Sequence, residues 1–184
     1  MTLNTNNPTS KSDIIASSEH NFQIELIKKV GINDMEKIIN ISKELVEIFG
    51  PHSLLTEKNT HKYFNDKTLP FIARYKGFVI GYIIGVPLEY FKNEAWSHFD
   101  TNLFDNNTLY TYAFVLEKRF QIKAGYAKTL KMIYLNWAKK RDYKYITGHV
   151  RKDIAKKFPN TEIIKTFPVW YDAKDPFSYY RRKI

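Results

Sequence analysis

Apolar residues at Phe22, Ile24 and Leu26 alternate with polar ones, a period of two that predicts a strand over 22–28. Met35, Ile38, Ile39, Leu45, Val46 and Phe49 then recur at helical intervals. Asn33 and Glu36 have the spacing of a capping box at the start of this helix, and Gly50-Pro51 ends it. A shorter helix is predicted from about Thr56, carrying Tyr63 and Phe64. Two β-rich runs, 70–75 and 78–84, are separated only by Lys76-Gly77, the signature of a tight hairpin. The pattern dissolves over 87–107. It resumes as a strand at 109–116, an amphipathic helix from about Gly125 to Arg141 with Tyr126, Leu130, Ile133 and Trp137 on one face, and strands at 143–150, 161–167 and 177–182. Residues 1–20 have no period and read as a flexible tail, leaving 21–184 as one domain.

A strand–helix–strand unit over 109–150 favours parallel pairing, so the fold class is α/β, a central mixed sheet with helices on both faces. The chain has 184 residues, 43% of them hydrophobic, enough for one core. It has no cysteine, which excludes a disulfide scaffold, thiolate metal ligation and a cysteine nucleophile. The five histidines, His20, His52, His61, His98 and His149, never fall at paired metal spacing, so no metal is expected. No apolar run approaches the roughly 18–20 residues that span a bilayer, and the N-terminus lacks the apolar stretch of a secretory signal. These features point to a cytoplasmic protein without a membrane partner.

A formal charge of +10 favours polyanionic ligands, unless it only paints a solvated surface. Its densest run is informative. In LYTYAFVLEKRFQIKAGYAKTLK (109–131) a buried strand leads to a loop and helix start carrying Lys118, Arg119, Lys123, Lys128 and Lys131. The small residues of Ala124-Gly125-Tyr126-Ala127 let a ligand approach the backbone. Unsatisfied N–H groups of the helix's first turn, with its dipole, suit a pyrophosphate there. Close packing of helix on sheet is the alternative use of Gly125 and Ala127.

This strand, basic loop, small-residue turn and helix resemble motif A of the GNAT superfamily of N-acetyltransferases. Gly125-Tyr126-Ala127 matches the second half of that motif; the first departs, with Ile122 three residues before Gly125 and Gln121 one position early. The order of elements from Phe22 to Val150 is similar to the superfamily's, and TFPVWYDAKDPFSYYRRKI resembles the closing strands of some archaeal and bacterial members. The resemblance implies an acetyl-CoA-dependent enzyme in which two strands splay to admit pantetheine. Backbone groups of Phe114 and Val115 would pair with it, and an amide near Val115 or Leu116 would polarise the thioester. Amides of Lys123, Ala124, Gly125, Tyr126, Ala127 and Lys128 would cradle the pyrophosphate, and Lys118, Arg119, Lys123 or Lys128 would meet the 3′-phosphate.

Many relatives carry a tyrosine acid on a helix after the fifth strand; here RKDIAKKF offers Phe158 instead. The open substitutes are His149, at a strand end and with an intrinsic pKa near neutrality, Glu117 beside the loop, Glu89 and Glu94 in the long connection, and the tyrosines Tyr171, Tyr179 and Tyr180, Tyr179 foremost. The acids of 89–105, with Trp96, Phe99 and Phe104, suggest a wall for a cationic amine: a polyamine, a lysine side chain or an aminoglycoside-like molecule. The acceptor is thus a small-molecule or protein amine, and a homodimer stays open. The rival reading is a basic binding module without catalysis. It would take nucleic acid on the aromatics and cations of YYRRKI, and a third reading is a degenerate member that binds CoA as a sensor.

Overall fold

The computed structural model describes residues 9–19, 21–122 and 125–184. Strands β1 (Lys11–Ser17), β2 (Phe22–Lys29), β3 (Leu69–Tyr75), β4 (Phe78–Pro87), β5 (Thr108–Leu116), β6 (Tyr145–Arg151), β7 (Thr161–Phe167) and β8 (Phe177–Lys183) form one sheet ordered β1-β2-β3-β4-β5-β6-β8-β7. Every pairing is antiparallel except β5 with β6, the two strands joined by the crossover helix α5 (Tyr126–Lys140). Helices α1 (Ile32–Ile41), α2 (Lys43–Phe49) and α3 (Glu57–Tyr63) cover the opposite face. Single helical turns, α4 (Lys118–Gln121) and α6 (Lys152–Ala155), follow β5 and β6.

Several boundaries differ from the sequence pattern. Residues 11–17, expected in the tail, form edge strand β1 on β2. Ser12 donates to Glu25 (2.9 Å), Lys28 reaches Asp13 (2.7 Å), and Ser10 Oγ accepts the Gly31 N–H (2.8 Å). Polar cross-strand partners hold this strand, so no apolar alternation announced it. The remaining tail residues 1–8 and His20 lie outside the described residues. The capping box does not form: α1 begins at Ile32 after Gly31, which places Asn33 inside the helix. The single helix expected through Phe49 is interrupted at Ser42, whose hydroxyl donates to Ile39 O and accepts the Leu55 N–H. Thr56 does cap α3, accepting from Asn59 N.

The connection between β4 and β5 is ordered and partly buried. It winds through short 3₁₀ turns at Leu88–Phe91 and Ala95–Phe99, and Leu88, Phe91, Trp96 and Leu103 enter the core on the α1–α3 face. Among the described residues, no helix is long and apolar enough to cross a membrane.

Arg74 ties β3 to β2 and α1, donating to Glu25 (2.8 Å) and, through both terminal nitrogens, to Asp34 (2.8 and 2.7 Å). Burial opposes ionisation of Asp34, but hydrogen bonds from Arg74 and Ser10 outweigh it and hold its carboxyl below the ordinary value. Its stabilising contribution is therefore present above about pH 4 and lost on acidification below it. Arg74→Ala strands two half-buried carboxylates and is expected to cost about 3 kcal/mol at pH 7. In thermal unfolding, the deficit relative to wild type should shrink below about pH 4, as Asp34 protonates.

Candidate active site

β5 and β6 pair only at Thr108↔Tyr145, Leu109↔Ile146 and Tyr110↔Thr147, and then part. The departure follows a β-bulge. Ala113 faces Ile84 and Thr111 faces Gly85, so Tyr112 is an extra residue on β5. The bulge resets side-chain parity, and Tyr110, Tyr112, Ala113 and Val115 all pack on the α1–α3 face, while Thr111 turns to α5.

The parted edge exposes backbone. Glu117 N–H donates to Ile80 O (2.9 Å) and Val115 sits opposite Tyr82 in the same register, so Glu117, Val115 and Ala113 turn their amides to β4. Phe114 and Leu116 alternate with them and face the gap. Leu116 O is already taken by Gln121 Nε2 (2.8 Å). Of the three strand residues singled out from the sequence, Phe114 thus has its backbone groups turned to the opening, and Val115 does not.

A cavity of about 650 Å³ runs through this gap. On the α5 side it is lined by Lys131, Tyr134, Phe158, Tyr180 and Arg182. On the other it is walled by aromatic side chains, Phe49, Tyr63, Phe91, Trp96, Tyr110, Tyr112, Trp170 and Tyr171, together with His52, Glu94 and His149. Two hydrogen-bonded pairs flank the fork where the strands diverge: Tyr110 Oη with His149 Nδ1 and Thr111 Oγ1 with Tyr134 Oη, both at 2.9 Å. Gly148, at the fork on β6, lets the Tyr180 ring approach. A Cβ there would lie 3.3 Å from the phenol oxygen.

His149 stacks on Trp170 (3.7 Å between centroids) and meets Trp96 edge-on at 4.9 Å. It is buried, its Nε2 has no hydrogen-bond partner among the described residues, and desolvation pushes its pKa well below the ordinary value. Burial raises Tyr110 likewise, so this pair is neutral at physiological pH. Burial pushes Tyr180 up to about 12, against a hydrogen bond with Thr111.

The other candidates lie elsewhere. Glu117 is outside the cavity lining and bound to Lys37 (2.6 Å) and Arg119 (2.8 Å). Burial would raise its pKa, but these two cations hold it low, which leaves a weak base. Tyr179 packs behind His149 (4.9 Å between centroids), outside the cavity lining, and donates to the buried Asp100 (2.8 Å), which also accepts from Arg181. Strand alternation sends its neighbour Tyr180 into the cavity instead, a distinction that the adjacent identical residues of the sequence did not reveal. Lys118 is engaged by Glu47 (2.8 Å) and Arg119 by Glu117. The tyrosines of YYRRKI are buried and Arg181 is paired with Asp100 and Glu162, so this segment is not a surface on which bases could stack.

At the end of α4 the basic loop leads to α5. Lys123 and Ala124 lie outside the described residues. Gly125, at the N-cap of α5, is left-handed (φ +69°), carries no capping side chain, and has open space where a Cβ would be. The first helical bond runs from Thr129 N to Gly125 O, so the amides of Tyr126, Ala127 and Lys128 precede the helical ladder. Among the described residues, no group of three His, Asp or Glu side chains could hold a metal ion.

No protein-family model matches the sequence, and no curated protein matches it either. Solved structures do resemble the fold. A GCN5-related N-acetyltransferase from Kribbella flavida superposes with a TM-score of 0.64 at 16% identity, over 91% of this chain and 100% of its own. The chain has the GNAT fold. Ard1 from Thermoplasma volcanium gives 0.63 at 15% identity, over 89% of this chain and 98% of its own. A GNAT family acetyltransferase from Elizabethkingia anophelis, solved with acetyl-CoA bound, gives 0.56 at 13% identity, over 89% and 99%. Each GNAT element named from the sequence has its counterpart in this sheet, with β1 added at the edge.

The neutrality of His149 has a measurable consequence. Unfolding frees an imidazole that titrates near pH 6.5, whereas the folded one stays deprotonated to well below that. Stability should therefore fall as pH drops below 6.5, by at most about 1.4 kcal/mol per pH unit from this group. His149→Phe should flatten that part of the profile in denaturant titrations between pH 7 and 5; an unchanged slope would assign it to other groups.

Proposed function

We propose that this protein is an acetyl-CoA-dependent N-acetyltransferase that transfers the acetyl group directly to a primary amine in a ternary complex. The observation that carries the reading is the cavity through the parted β5–β6 edge, open to α5 on one face and to the aromatic wall on the other. Such a passage lets a thioester enter from one side and an amine from the other.

The residues fit acetyl-CoA. The opening turn of α5, uncapped at Gly125, suits the diphosphate, and the backbone of Phe114 suits the amides of the pantetheine arm. An arm entering from the α5 end and running back along β5 carries its acyl end past Phe114 towards the bulge at Tyr112. A backbone N–H there, rather than at Val115 or Leu116, would meet the developing oxyanion.

At the fork, the amine nitrogen forms the new bond to the carbonyl carbon as the carbon–sulfur bond breaks. Tyr110 accepts the proton leaving the amine and passes its own to His149 Nδ1. A weakly basic imidazole suffices here, because an amine bonded to the tetrahedral carbon is far more acidic than a free ammonium. Tyr180, protonated at neutral pH, gives its proton to the departing thiolate and recovers one from solvent. It takes the place of the tyrosine missing at Phe158, whose ring it touches edge-on at 5.3 Å.

Acetyl-CoA should raise the melting temperature of the wild type in a concentration-dependent manner. Gly125→Glu directs bulk and negative charge into the open space at the N-cap and should abolish that shift. Gly125→Asn, which tolerates the left-handed conformation, should retain most of it and so controls for backbone strain. Full stabilisation of a folded Gly125→Glu protein would remove the diphosphate from this helix.

Tyr180→Phe should lower kcat by about 10²-fold or more with acetyl-CoA binding intact. Tyr179→Phe should instead lower stability, because Asp100 loses a donor, and leave kcat near wild type. Equal kcat losses in both variants would refute the assignment of Tyr180.

A further inference from the structure

Most of the acids expected to receive a polycation lie away from the cavity. Glu89 accepts the Asn106 N–H (2.9 Å), Asp100 is buried against Tyr179 and Arg181, and neither lines the cavity. Glu94 is the one carboxylate among the described lining residues, at the aromatic end, where Tyr171 Oη approaches it at 3.5 Å. The remaining charged side chains of the lining, Lys131, Arg151 and Arg182, are cationic and would repel a second or third ammonium.

What the cavity offers beyond Glu94 is aromatic surface. Trp96, Trp170, Tyr110 and Tyr171 stand around its approach to the fork, and rings of this kind gain most against another flat ring. His149 Nε2, buried and unpartnered, marks the polar end of the compartment. One carboxylate at the mouth, a ring-lined body and a proton-accepting pair at the far end describe a ligand with one amine on a flat apolar body.

On the acetyltransferase reading, we propose that the acceptor is an arylalkylamine: a single primary amine carried by a short chain on an aromatic ring. The ammonium is drawn in by Glu94, sheds its proton to solvent as it leaves the mouth, and reaches Tyr110 as the free amine while the ring settles among the tryptophans. A linear polyamine would leave cations without carboxylates, and a peptide N-terminus would have to bring amide groups against an apolar wall.

The test is acetyl transfer by the full chain, followed as CoA thiol release, with 2-phenylethylamine, tryptamine, spermidine and a short peptide with a free N-terminal alanine. The arylalkylamines should exceed spermidine and the peptide by about 100-fold in kcat/KM, the scale of one well-buried ring. Tyr171→Ala and Glu94→Gln, both at exposed positions that do not threaten the fold, should raise KM for tryptamine several-fold with little change in kcat. Preference for spermidine or the peptide, or unchanged KM in both variants, overturns the acceptor class while leaving acetyl transfer in place. Thermal stabilisation by acetyl-CoA, measured alongside, separates this from failure of the enzymatic reading. Absence of both stabilisation and transfer overturns the acetyltransferase assignment, and the acceptor class with it.

Discussion

One extra residue in β5 governs the rest of the site. Up to Tyr110 the central strands pair as a parallel sheet should; at Tyr112 the bulge adds twist, and beyond it β5 stays with β4 while β6 follows β8. On the acetyltransferase reading, the gap-facing backbone of Phe114, an exposed residue, is where the amides of a pantetheine arm would pair. Ordinary alternation puts Tyr110 and Tyr112 on the α1–α3 face and Thr111 against Tyr134 on the other, and the bulge brings Ala113 and Val115 onto the face of the phenols.

Desolvation, more than charge, sets the chemistry around that fork. His149 and Tyr110 face each other with neither ionised, and burial dominates the pKa shifts of both. A site that had to hold a charged base would need a carboxylate to support it; none bonds His149. Such a neutral pair is suited to a proton that appears only as the new bond forms, and ill suited to stripping one from a resting ammonium. Among the described residues, the one buried carboxylate near the fork, Asp100, is turned to Tyr179 and Arg181 and serves the connection between β4 and β5.

Much of this architecture is legible in the sequence, and the misses have physical causes. Alternation and helical spacing located the apolar strands and α5, because burial on one face imposes those periods. β1 escaped because Ser12, Asp13 and Ser10 hold it by polar contacts. The break at Ser42 depends on a hydroxyl that reaches Leu55 N, thirteen residues on, which no local pattern encodes. At the site, the small-residue turn and the gap-facing strand were readable from 109–131. Glu117 and Tyr179 were not distinguishable from useful acids and bases until Lys37, Arg119 and Asp100 were seen against them. Tyr180 differs from Tyr179 only in parity, and parity is fixed by the register of β8 between β6 and β7.

The surplus of positive charge gains a meaning once its members are placed. Many cations are spent on local partners: Arg74, Lys118 and Arg181 each hold a carboxylate. Lys128, Lys131, Lys139 and Arg182 instead line a hollow beside α5, next to the α5-side mouth of the passage. Burial lowers the pKa of Lys131, and Arg182 lowers it further, the mark of cations gathered without an anion to offset them. The opposite mouth carries Glu94. On the acetyltransferase reading, a passage that is positive at one end and negative at the other would sort a polyanion to one side and an ammonium to the other, so that both would be held before either reacts. On that same reading, with both ligands drawn to opposite mouths by charge, simultaneous occupancy is the course the charges would favour.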